Sequence, residues 1–183
     1  MGILTATIPN KLSIAINYRR LNTLSLQTTI KNAFKIASMK YQIGYFICDL
    51  CIFTTVKNWS ISNIEHVLFT TNLISPCYII LCYVEDMPLV TSRDSNHNTD
   101  NNFLTRDKYV IQTNMDKNKI GNNILYSIER FTIAKQKIDN NNNNFTSINN
   151  IIENFKIYPI INEQTIYYSI LSPKINFHFT YIN

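Results

Sequence analysis

Cys77-Tyr78-Ile79-Ile80-Leu81-Cys82-Tyr83-Val84 is apolar on both of its alternating sides. Successive side chains of an extended strand point to opposite faces, so a run of this kind predicts a strand covered on both sides. Ser75-Pro76 stops whatever precedes it, because the residue before a proline is pushed out of the helical region. Upstream, Ser62-Asn63-Ile64-Glu65 has the form of a capping box and predicts a short helix over about 62–72. Downstream, residues 88–107 are polar and rich in turn-forming types, and read as a long mobile loop.

The same reasoning extends in both directions. Leu12, Ile14 and Ile16 alternate with Ser13, Ala15 and Asn17, the period of a half-buried strand. Tyr18-Arg19-Arg20 ends it in a basic loop. Ser25 offers an N-cap to a helix over 26–40, with Leu26, Ile30, Ala33, Phe34 and Ala37 on one face and Lys31, Lys35 and Lys40 on the other. Tyr45 to Val56 reads as a buried strand. Beyond the loop, Lys108 to Thr113 reads as a strand, and residues 124–134 fit a helix or a strand, the strand being preferred. A polyAsn loop spans about 139–146. Ser147 caps a helix bearing Ile148, Ile151, Ile152 and Phe155, and Pro159 stops it. Gln164 to Leu171 and Ile175 to Tyr181 form a closing hairpin. The expected fold is α+β, a single domain over 1–183 with a mainly antiparallel sheet and about three helices.

Composition sets further bounds. The chain has 183 residues, 45% hydrophobic and 12% aromatic, which supports a packed core. Three glycines are too few for many left-handed turns, so asparagine is expected to fill them. The longest apolar stretch, Ile43 to Val56, contains Asp49 and falls short of the ~20 residues that span a bilayer. With no signal peptide, reduced thiols in a cytoplasmic or nuclear setting are expected rather than secretion.

No reaction chemistry stands out. Cys48-x-x-Cys51 and Cys77-x4-Cys82 could number a zinc site, but both pairs sit in apolar runs and read as core thiols. His66, His97 and His178 are scattered, and Glu85-Asp86 reads as the surface end of a strand. No metal and no cofactor are expected.

Charge is the sharper feature. Residues 1–57 carry seven Lys or Arg against Asp49 alone, residues 58–107 two against six acids, and the remainder eight against five. A basic N-terminal third points to an anionic partner, with Arg19, Arg20, Lys31, Lys35 and Lys40 as the candidate anion-binding residues. Pairing of the basic and acidic segments between copies would also allow self-association.

The order of elements over 11–56 resembles rhabdovirus matrix proteins of the plant-infecting type. Its parts are the strand Leu12 to Asn17, the basic loop Tyr18 to Asn22, the helix Ser25 to Lys40, Gln42-Ile43-Gly44 and the apolar strand Tyr45 to Val56. The resemblance implies a non-enzymatic structural or adaptor protein of the virion. Such a protein self-associates and binds nucleocapsid RNA or, peripherally, an anionic membrane, and takes no small-molecule substrate. The alternative expectation is a nucleic-acid-binding module, a viral accessory protein or an organellar ribosomal subunit.

Overall fold

A computed structural model describes residues 5–19, 30, 58–71, 76–86, 88–93, 105–106, 109–114, 126–141, 145, 147–163, 165 and 167–182. Of the expected helix over 26–40 only Ile30 lies among them, and the expected strand over 45–56 lies outside them. The chain divides into two compact units, Met1–Val110 with Ile170–His178, and Ile111–Ser169 with Phe179–Asn183.

The first unit is built on an antiparallel sheet of five strands in chain order: β1 (Thr5–Ile8), β2 (Leu12–Tyr18), β3 (Cys77–Tyr83), β4 (Leu89–Arg93) and β5 (Thr105–Arg106). The register pairs Leu12 with Tyr83, Ile14 with Leu81 and Ile16 with Ile79, while Leu81 also faces Leu89. One face therefore carries a continuous apolar set from three neighbouring strands. Helix α1 (Ile61–Thr70) adds Ile64 and Leu68 to the same cluster. On the other face Tyr78 and Val90 are buried as well, so β3 is covered on both sides as its pattern requires.

Helix α1 starts at Ile61, one residue before the expected 62. Ser60 is the cap, its hydroxyl accepting from the Asn63 amide at 3.3 Å. Glu65 is half-buried on the same helix. Its carboxylate accepts from the Tyr83 hydroxyl at 2.7 Å, tying the helix to β3.

The loop expected over 88–107 is corrected at both ends, since β4 and β5 lie there. All five residues of β4 are buried, including Thr91, Ser92 and Arg93. Their polarity suggested solvent, but their position beside β3 gives the backbone a ladder and the side chains an interior. Conversely, 109–114 forms no strand among the described residues. Asparagine does take left-handed positions, with φ of 58° at Asn10 between β1 and β2, 50° at Asn58 and 50° at Asn176.

The second unit holds helix α2 (Ser127–Asn140) and helix α3 (Ile148–Phe155). The preference for a strand over 124–134 was wrong: Ala134 and Ile138 are buried four apart, a helical spacing. The helix also runs into the expected polyAsn loop, where Asn141 donates to the Lys137 carbonyl at 2.8 Å and contacts Asn154 of α3. Ser147 caps α3, accepting from the Asn150 amide at 3.1 Å, and Phe145 packs on Phe155. The closing hairpin is β6 (Tyr167–Ser172) with β7 (Phe177–Ile182). The fold class is thus α+β, with a mainly antiparallel sheet and three described helices.

Ser60→Ala should lower unfolding free energy by about 1 kcal/mol, while Ser62→Ala should stay within about 0.5 kcal/mol of the parent. Leu81→Ala should cost roughly 2–5 kcal/mol, because it empties a site packed from both neighbouring strands. Urea denaturation of the variants checks all three values.

Candidate functional site

Of the expected anion-binding residues only Arg19 lies among the described residues. Arg20, Lys31, Lys35 and Lys40 lie outside the described residues. Arg19 is only 1% exposed, with its guanidinium carbon 5.8 Å from the centroid of the Tyr78 ring. It follows directly on β2, whose last residue pairs with Cys77, so Arg19 enters the end of the sheet instead of a solvated loop.

Cys77 faces Arg93 across the β3–β4 ladder, and Arg93 is 0% exposed. The Arg93 guanidinium donates through Nη2 to the carbonyl of Thr71 at the C-terminal end of α1. This bond satisfies a helix-end carbonyl with a cation, the favourable sign for that terminus. Burial pushes the Cys77 thiol up to about 12, against the pull of the Arg93 and Arg19 charges. A thiol with that pKa is protonated at neutral pH and is a poor nucleophile. This end of the sheet therefore has a structural character. Cys82 departs from the expectation of four core thiols, because it is exposed; its thiol is also raised, by partial burial. Cys48 and Cys51 lie outside the described residues.

A second polar cluster lies in the other unit. The segment 111–114 runs beside α2, and the Arg130 guanidinium donates through Nη2 to the Asn114 side-chain carbonyl at 2.5 Å. Gln112 donates to the Thr113 carbonyl at 2.7 Å. Arg130 Nε is buried without a hydrogen-bond partner, and burial lowers the pKa of this guanidinium. With its carbonyl turned to Arg130, the Asn114 side chain is fixed in orientation. A fixed amide donor backed by a half-buried cation is chemically suited to polarising a carbonyl or holding a developing oxyanion.

Sequence reading missed both partners. Arg130 was one cation in a segment taken for a strand, and Asn114 one of many asparagines; no spacing links residues 16 apart. His66 and His178 are exposed, on α1 and β7, and Glu85 and Asp86 are exposed just after β3. Among the described residues no group of three His, Cys, Asp or Glu could hold a metal ion, and no helix is long and apolar enough to cross a membrane.

No family model matches the chain. Over 175 residues, 92% of its length, it is 34% identical to an uncharacterized protein of Acanthamoeba polyphaga mimivirus. The chain spans about half, 51%, of that relative. A relationship to a viral protein is therefore present, while the resemblance to rhabdovirus matrix proteins gains nothing from it. In three dimensions the whole chain matches a Caenorhabditis elegans N-acylethanolamine-hydrolyzing acid amidase ortholog, with a TM-score of 0.73, 19% identity and 77% of that chain covered. This match corrects the expectation of a non-enzymatic protein: the chain has a fold found in a hydrolase.

Under native conditions, iodoacetamide at pH 8 should modify Cys82 well before Cys77, as read by peptide mass mapping. Ionisation of Cys77 is opposed in the folded state, so its contribution to stability is fully present below pH 9 and is lost as pH rises toward 12. Thermal melts between pH 8 and 11 should accordingly fall less steeply for Cys77→Val than for the parent.

Proposed function

We propose that this chain forms part of an N-acyl amide hydrolase, with Arg130 and Asn114 in its polar site. The supporting observation is the 2.5 Å contact between them, set in a fold shared with an acid amidase. Hydrolysis of an amide requires attack on the acyl carbon, passage of the carbonyl oxygen through an anionic tetrahedral stage, and release of acid and amine after addition of water. In this reading the Asn114 amide donates to that oxygen. Arg130 holds the Asn114 carbonyl and adds positive potential to a partly desolvated site, where it counts for more than in water.

Neither described cysteine fits the role of nucleophile. The Cys77 thiol is buried and raised to about 12, and the Cys82 thiol is raised too. The anion-binding reading of the N-terminal basic residues draws no support from Arg19, which is turned into the fold.

The test is turnover of N-acyl amides of graded chain length, followed by release of a fluorescent amine. Asn114→Ala should lower kcat by about 10²–10³-fold with little change in KM. Arg130→Lys, which keeps the charge but loses the planar fork, should give a smaller loss. Far-UV circular dichroism establishes that each variant is folded. Equal turnover by parent and Asn114→Ala, or no hydrolysis of any N-acyl amide, would overturn the reading.

A further inference from the structure

Arg130 lies near the start of α2, on the stripe that carries the buried Ala134 and Ile138 one and two turns further on. The residue is half-buried. A guanidinium drawn partly out of water needs compensation, from a carboxylate or from a full set of hydrogen bonds. Here Nη2 donates to the neutral side-chain carbonyl of Asn114, and Nε is buried without a hydrogen-bond partner. Burial lowers the pKa of the group, whereas a carboxylate in contact would raise it.

The position on the helix points the same way. Arg93 meets the C-terminal end of α1, the favourable end of a helix for a cation. Arg130 is near the N-terminal end of α2, where a cation is disfavoured and an anion is welcome. Lys137, half-buried seven residues further along the same stripe, adds charge of the same sign. The arrangement holds a cation in place at some cost to the fold and is completed by a bound anion.

We propose that Arg130 anchors a carboxylate on the amine side of the substrate, so that the amides taken are N-acyl amino acids. The identity of the bond that is cut rests on the hydrolase reading above; the carboxylate contact rests on the geometry of Arg130. A carboxylate presents two coplanar oxygens that match the parallel N–H bonds of a guanidinium edge. With Nε inside and one Nη2 hydrogen on Asn114, the carboxylate meets Nη1 and the second Nη2 hydrogen. The Asn114 contact restrains the guanidinium plane, so this edge is set in direction before the ligand arrives. In an N-acyl amino acid the carboxyl carbon is two bonds from the amide nitrogen, which brings the scissile C–N bond close to Asn114. Hydrolysis then adds the hydroxyl of water to the acyl carbon and a proton to the departing nitrogen, breaking the C–N bond and releasing a carboxylic acid and an amino acid. A free fatty acid offers the same headgroup from the acyl side, and the experiment separates the two sources.

Isothermal titration of the 183-residue protein with N-(octylsulfonyl)glycine, whose sulfonamide is not cut as a carboxamide is, reads binding apart from turnover. It should bind about tenfold more tightly, or better, than neutral N-(octylsulfonyl)ethanolamine and than octanoate, by a margin that narrows with salt. Arg130→Gln should erase most of the margin and Arg130→Lys should keep part of it, with far-UV circular dichroism establishing that each is folded. Equal affinity of the parent for the glycine and ethanolamine compounds, a margin unchanged in folded Arg130→Gln, or octanoate binding as tightly as the glycine compound would overturn the proposal. Release of glycine and of ethanolamine from the corresponding N-octanoyl amides separates it from the hydrolase reading. A glycine preference in binding with no release of either amine overturns the hydrolase reading and supports the carboxylate site. Release of both amines at equal kcat/KM supports a hydrolase and overturns the carboxylate anchor.

Discussion

Strand β3 must hydrogen-bond along both edges and bury side chains on both faces at the same time. β2 and β4 flank it in antiparallel register, and Ile79 and Leu81 on one face and Tyr78 on the other are buried. A slip of one residue would exchange the two faces and put Cys82, now exposed, where Leu81 packs against Ile14 and Leu89. Register along β3 also decides which residues gather at its ends. At one end Tyr83 meets Glu65 of α1; at the other Cys77 comes opposite Arg93, which reaches Thr71. Helix α1 is thereby fastened to the sheet by polar contacts at its middle and at its C-terminal end, beside the apolar ones of Ile64 and Leu68.

The two arginine environments show how context assigns a role to one residue type. Arg93 is fully buried at the sheet end and spends a donor on a helix-terminal carbonyl, a use that stabilises the fold. Arg130 is partly buried, with one nitrogen on Asn114 and a buried Nε that makes no hydrogen bond. A guanidinium has five donors in a rigid plane, so satisfying one of them leaves the others committed in direction. The two differ in what Nη2 holds: a helix-end carbonyl for Arg93 and a side-chain amide for Arg130.

Local rules were dependable where the consequence was local. Alternation in Leu12 to Asn17, the Ser147 cap, the closing hairpin and asparagine at left-handed turns were all legible, since each rests on backbone sterics and neighbours within a few residues. Reading failed where burial was supplied from far along the chain. Thr91, Ser92 and Arg93 look solvated in one dimension and are interior in three, because β3 provides the ladder and the cover. Residues 127–134 satisfied two periodicities, and the choice fell to packing that a short window does not contain.

By itself, then, the chain's pattern of side chains determined the α+β class, the antiparallel central strands and the cap of α3, all of which follow from period and backbone preference. Tertiary structure alone decided that Arg19 turns inward, that Arg93 is buried and that Asn114 meets Arg130. Those outcomes depend on desolvation and on contacts between residues distant in sequence, and neither quantity has a signature in composition or spacing.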